Sequence, residues 1–372
     1  MRIKAVLCGV VLSILALIPF YAEAQTVNMV YANALQKNHV QYGVIADEWI
    51  ARIEKFTEGR VKIRHVPGGS LLAQEQMLEG IRGGVADFGV ANCSVFPGQL
   101  PIVATLAGTA DVKYGNMVDT KGAGAITLKL AEEFPDYISD FTRLGVKPQV
   151  WVPTSHFNII CKQPILKMDD MKGKKIRSFG PNLPRMLAAM GATPMSVAAM
   201  EVYTSLATGI LDCGQTDLPF MDSARWYEQA KYLLTTGPGP GAMTVCAGVA
   251  YMANMERLAK LQEKDRKIID EISKETNVYA ALRLDKLGRE MYDVFKSRGV
   301  TITHLTEAET AELANRSPDF LKEAAEAINK AGRPGTAIIN RYKQLAEDYV
   351  SGKWKPYANV NLKYYDVSEY LK

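Results

Sequence analysis

Between residues 27 and 66 the hydrophobic pattern switches from period two to period 3.6 and back to two. Residues 27–32 (VNMVYA) alternate as a strand does. Tyr42, Ile45, Ala46, Trp49, Ile50, Ile53 and Phe56 then recur at helical spacing until Gly59 stops them. Residues 60–66 follow with Val61, Ile63 and His65 on one face. Strand, helix and strand within forty residues leave room for a helical crossover but not for a hairpin. The expected fold class is therefore α/β, with a parallel, doubly wound sheet.

The pattern continues. A turn at Pro67-Gly68-Gly69-Ser70 leads into a helix from residue 73, then into a strand carrying Ala86, Phe88, Val90 and Ala91. Loops after the strands of such sheets hold ligands, so Asn92, Ser94 and Phe96 are candidate site residues. Residues 123–134 read as helix. Residues 143–153 read as a strand whose Pro148 argues against a central position. A second unit begins with the apolar strand 158–161. Residues 221–232, with Trp226 and Tyr227, read as helix. Gly237-Pro238-Gly239-Pro240-Gly241 is a rigid bend and a candidate hinge, and residues 243–253 a buried strand. Residues 265–295 form one long helix, 300–303 a short strand, and Thr306 with Glu309 a capping box before further helix. The tail from residue 349 to 372 holds five Tyr and one Trp, too aromatic for disorder, and is expected to pack on the body or on a second subunit.

With 372 residues and 48% hydrophobic composition the chain has ample material for two domains. A formal charge of +4, without a basic block, gives no reason to expect nucleic acid. Arg2 and Lys4, the apolar run 6–20 and Ala22-Glu23-Ala24 form a secretory leader, so residues 1–24 are expected to be removed. Cys93, Cys161, Cys213 and Cys246 remain. Each sits in an apolar or glycine-containing context, and the expectation is buried free thiols, although export would permit disulfides.

No nucleophile elbow, zinc-protease helix or dinucleotide fingerprint occurs. His65 and His304 read as structural. His156, at the start of the second unit, is the candidate catalytic or binding histidine. Binding without chemistry is the leading reading, and residues 167–219 carry it. In Lys175-Ile176-Arg177-Ser178-Phe179 a short strand ends near Arg177 and delivers a guanidinium to a loop mouth. That planar fork matches a carboxylate. Lys172, Lys174 and Lys175 read as plain solvated cations.

The run KKIRSFGPNLPRMLAAMGATPMSVAAMEVYTSLATGILDCGQ resembles the signature of the solute-binding subunits of tripartite ATP-independent periplasmic (TRAP) transporters, of the dicarboxylate-binding type. The resemblance extends to Asn38-His39, VKIRHVPGGSL and LLAQEQMLEGIRGGVADFGVA. It implies a two-domain periplasmic binding protein of type II-like fold, with a ligand cleft between the domains and a long interdomain helix. Residues 25–153 and 243–282 would form one domain, 154–242 and 283–340 the other, and 341–372 a tail packed on the body. Such a protein captures an organic acid in the periplasm and passes it to membrane permease subunits. Arg177 would pair with the ligand carboxylate. Asp217 would fill the polar ligand position, with Gln215, Asn38 and Asn92 nearby. Relatives that bind acidic sugars carry a second arginine where this chain has Phe157. That departure, with Asp217, points to a monocarboxylate whose body is apolar, aromatic or hydroxylated, lined by Phe157, Trp226 and Phe96. No cofactor is expected. A metal ion beside the ligand, as some keto-acid-binding relatives hold, would fall on Gln215 and Asp217. The alternatives are a receptor for an ABC importer or sensor, and an enzyme acting on small acids that uses His156 or Asp217. Monomer and homodimer both stay open.

Overall fold

The computed structural model describes residues 26–235 and 248–371. The expected leader, the bend at 237–241, Cys246 and the first part of the strand expected over 243–253 lie outside the described residues. Eleven strands are described: β1 (Val27–Asn33), β2 (Val61–Val66), β3 (Phe88–Asn92), β4 (Val146–Val152), β5 (Phe157–Cys161), β6 (Lys175–Ser178), β7 (Thr193–Ser196), β8 (Cys213–Asp217), β9 (Tyr232–Thr235), β10 (Val249–Asn254) and β11 (Thr301–His304). They form two sheets, β2-β1-β3-β10-β4 and β11-β9-β5-β8-β6-β7.

Each sheet is sandwiched between two apolar layers, as period-two burial on both faces requires. In the first sheet Tyr31, Phe88, Val90 and Tyr251 face one layer, and Ala32, Ala91, Ala250 and Met252 the other. In the second, Ile159 and Leu234 face one layer, and Ile160 and Leu233 the other. The expected parallel pairing holds for β1 with β2 and β3. It fails for β10, which runs antiparallel between β3 and β4. This strand belongs to the return from the second domain, so no local crossover dictates its direction. β4 lies at the sheet edge, where Pro148 is tolerated, and the register slips at the residue after it.

Three expectations are corrected. Residues 221–232 are not one helix: a helix over Leu218–Ser223 ends, Arg225 takes a positive φ of 58°, and the chain goes on to the edge-proximal strand β9. The expected boundary at 340 also moves. Phe320 still packs in the second domain, but Leu321, Ala324, Ile328, Ile338 and Tyr342 pack in the first. The chain therefore returns to the first domain near residue 320. Lastly, Cys161 and Cys213 are disulfide-bonded rather than free, whereas Cys93 is a buried free thiol. The two half-cystines sit directly opposite one another on β5 and β8, with Cα atoms 4.1 Å apart.

That bond closes a sequence separation of 52 residues. Replacing both cysteines by alanine is expected to lower stability by about 4 kcal/mol through the freed unfolded chain. Urea titration of the oxidised protein and the double variant would measure it.

The long helix Glu263–Ser297 spans 35 residues. Its Ile269, Ile272, Ala280 and Leu284 pack in the first domain and its Phe295 in the second. The aromatic tail folds back on the first domain: Tyr365 stacks on Tyr279 with ring centroids 4.4 Å apart, and Arg52 lies 3.8 Å over the Tyr365 ring.

Candidate functional site

Strand direction builds the site. β6 and β8 are parallel, and β5 is antiparallel to β8 with Phe157 opposite Asp217. The ends of β6 and β8 and the start of β5 therefore meet at one edge of the second sheet. In the first sheet the ends of β1 and β3 and the start of β10 meet likewise. These two edges bound a cleft of about 620 Å³, lined from the first domain by His39, Gln41, Tyr42, Asn92 and Ser94, and from the second by Phe157, Arg177, Phe179, Asp217 and Phe220 among others. Ligands of open α/β sheets bind at such strand ends.

Arg177 is 6% exposed. Its Nε donates to the Val197 carbonyl at 3.2 Å and its Nη1 to the Gln215 carbonyl at 3.1 Å. Its guanidinium carbon lies 4.7 Å from the Phe179 ring centroid, and Phe179 packs edge-on against Phe157. The group is thus fixed by two carbonyls and an aromatic face. Burial lowers its pKa to about 10, so it stays protonated at neutral pH. Among the described residues no carboxylate forms an ion pair with it, and Nη2 has no hydrogen-bond partner. A buried cation held this way, with one edge left over, is a receptor for an anion.

Asp217 caps the helix Leu218–Ser223, its Oδ1 accepting from the Phe220 N–H at 2.8 Å. It is 4% exposed. Burial pushes its pKa up to about 7, against the smaller opposing effect of the Phe220 N–H. The carboxyl therefore changes charge near neutrality, and Oδ2 is left for the cleft.

From the opposite wall comes His39, which sequence reasoning passed over in favour of its neighbour. Asn38 is exposed and does not line the cleft, because His39 rather than Asn38 is the residue that caps the turn Val40–Val44. The Tyr42 N–H donates to His39 Nδ1 at 3.4 Å, which places the ring proton on Nε2. Burial lowers the ring's pKa to about 3, so it remains neutral. Its ring lies 5.1 Å from that of Phe220, a contact between the domains beside Asp217. A short polar turn after a first strand was the available signal, and it named the right turn but the wrong residue.

Four further expectations are corrected. Trp226 and Phe96 do not line the cleft. Trp226 is fully buried beneath β8 and Phe96 points into the first domain's core. Gln215 lies under the floor, its Oε1 accepting from Ser178 Oγ at 3.2 Å, so of the two residues named for a metal ion only Asp217 reaches the cleft. His156 lines a separate cavity of about 230 Å³, with Nε2 2.7 Å from the Val118 carbonyl, and does not meet Asp217 there. Gln215 shares its β8 face with Asp217 but lies two residues deeper from the strand end, and Trp226, Phe96 and His156 lie in turns outside the strands. Arg177, Asp217, Phe157 and Asn92 line the cleft. Asn92 Oδ1 caps the turn Cys93–Val95 through the Ser94 N–H.

Trp226 serves the site from below. A Cβ on Gly214 would come within 2.7 Å of the Trp226 ring. Gly214→Ala is thus expected to cost about 1–3 kcal/mol by overpacking. A thermal melt showing an unchanged midpoint would count against this packing.

The bacterial extracellular solute-binding protein family 7 model matches residues 31–327. The chain belongs to this family. One curated relative, the outer membrane transporter protein TsaT of Comamonas testosteroni, is 25% identical over 90% of this chain and 96% of its own. Among solved structures, the Bordetella pertussis extracytoplasmic solute receptor DctP7, which binds pyroglutamic acid, superposes with a TM-score of 0.69 at 17% identity, over 86% of this chain and 100% of that one. A TRAP solute-binding protein from Rhodoferax ferrireducens, solved with copurified benzoate, gives 0.71 at 17% identity, over 88% and 100%. At these identities the structures speak for the fold. The family supplies the solute-binding role of the cleft.

Proposed function

We propose that this family 7 protein is the periplasmic receptor of a TRAP-type transporter and captures a monocarboxylate without turning it over. The observation that carries this reading is Arg177, a buried cation at the floor of a two-domain cleft with no acid paired to it among the described residues. Phe157, Phe179 and Phe220 supply apolar walls for the body of the ligand. Asp217 Oδ2 and the His39 Nε2–H offer one acceptor and one donor for a further polar group. Similar receptors that bind benzoate and pyroglutamate fit this chemistry, each ligand carrying one carboxylate on a compact ring. The leader-like start and the Cys161–Cys213 bond both suit an oxidising compartment outside the cytoplasm.

Native mass spectrometry of the freshly purified mature protein, followed by calorimetry with benzoate, pyroglutamate and succinate, tests the reading. A monocarboxylate is expected to copurify, or to bind more tightly than succinate. Tighter binding of succinate, or conversion of any of the three, would overturn it.

A further inference from the structure

The far end of the second sheet, opposite the cleft, gathers lysines. The Lys231 N–H donates to the Cys161 carbonyl, the Lys162 N–H to the Asp212 carbonyl, and the Asp212 N–H to the Lys175 carbonyl. Lys231, Lys162 and Lys175 therefore form a row across β9, β5, β8 and β6, with strands about 5 Å apart. Lys172 and Lys174 lie on the turn entering β6, which the Thr193 N–H ties to the Lys174 carbonyl. Lys167 lies on the connection from β5. Five lysines thus fall within residues 162–175.

None of these lysines forms an ion pair among the described residues, although lysines elsewhere do so repeatedly. The acids nearby are largely occupied by backbone. Asp170 accepts from the Leu166 and Lys167 N–H groups, Asp212 from the Lys175 N–H, and Glu309 from the Met168 N–H. Asp169 is exposed, and Glu228, beside Lys231, is exposed and paired with Arg225. Two large aliphatic side chains stand out at the same end: Leu166 is 67% exposed and Ile210, two residues before Asp212, is 54% exposed.

We propose that this end of the second domain docks on an anionic phospholipid surface. Lysines are compact point charges on flexible stems, suited to a fluid field of headgroups rather than to fixed bidentate partners. Aliphatic side chains among them can enter the headgroup boundary while the ammonium groups stay in water. Among the described residues no helix is long and apolar enough to cross a membrane, so such contact would be reversible and superficial. The ligand cleft lies at the opposite sheet edge and stays open to solvent. The inference does not depend on which acid the cleft binds.

The test is flotation of the full mature protein with phosphatidylcholine vesicles, with and without phosphatidylglycerol, at low and raised salt. Binding is expected only to the anionic vesicles, and raised salt should release it. The triple change Lys172→Gln, Lys174→Gln and Lys175→Gln should weaken it roughly tenfold or more. A control triple at exposed lysines elsewhere, Lys62→Gln, Lys264→Gln and Lys322→Gln, removes the same net charge and should keep most of it. Unchanged thermal-unfolding midpoints would show that both variants are folded. Equal binding to neutral vesicles, or equal loss in the control, would overturn the proposal. So would binding to polyglutamate but not to vesicles, which would point to an acidic protein partner.

Discussion

Replacing Arg177 with alanine is expected to weaken carboxylate binding by roughly 10²–10³-fold, as truncating one partner of a buried charge-assisted pair does elsewhere. The fold should survive, because the side chain ends at the cleft rather than in a core cluster. Stability will still fall, since the Val197 and Gln215 carbonyls lose their donor. Lysine at 177 is the sharper variant. It keeps the charge but cannot reach two carbonyls and present a flat edge to the ligand at once. Calorimetry should therefore show Arg177→Lys close to Arg177→Ala. Affinity within a few-fold of wild type for either variant would remove Arg177 from the centre of the site.

The second large effect concerns pH. Asp217 titrates near 7 in the folded chain, against an ordinary value of 3.8. The folded state thus holds a proton that the unfolded state has released between about pH 4 and 7, and stability falls as pH rises through that window. The full span is worth at most about 4 kcal/mol. His39 works the other way. Its pKa falls from 6.5 to about 3, so its contribution to stability is lost as pH drops below 6.5. Asp217→Asn keeps the helix cap and removes the first effect alone. Urea titrations of the ligand-free protein should then show stability rising from pH 4 to 6.5 and staying level above it. Binding follows the same proton. Above pH 7 the charged Asp217 faces the cleft that holds the ligand anion. Benzoate affinity should therefore drop several-fold between pH 6 and 8 in the wild type and stay flat in the asparagine variant. A flat wild-type profile would show that Asp217 does not sense the ligand.

Periodicity was enough to expose the layered fold, because most strands and the long helix bury faces whose spacing is local information. β9 escaped because its four residues follow a helical turn and a single left-handed residue, Arg225. The disulfide escaped because pairing β5 with β8 is a matter of register between strands far apart in sequence. At the site, Arg177 and Asp217 could be found from strand ends. Gln215 was misplaced because it lies two residues deeper along β8 than Asp217, and Asn38, Phe96 and Trp226 because they sit in irregular turns, where spacing does not give a side chain's direction. Nothing in the composition marked His39, whose role comes from the cap it makes.

The helix Glu263–Ser297 packs against both domains, so the two halves of the receptor share one rod about 50 Å long. A cleft that shuts by moving one half must then flex this rod or slide it over a core that resists sliding. Flexing would act as a return spring. Part of the ligand's binding energy would be held in the bent helix and given back when the ligand leaves, so the empty receptor reopens without help. Residues in the middle of that rod, far from any ligand atom, then become the place to tune how long the receptor keeps its cargo.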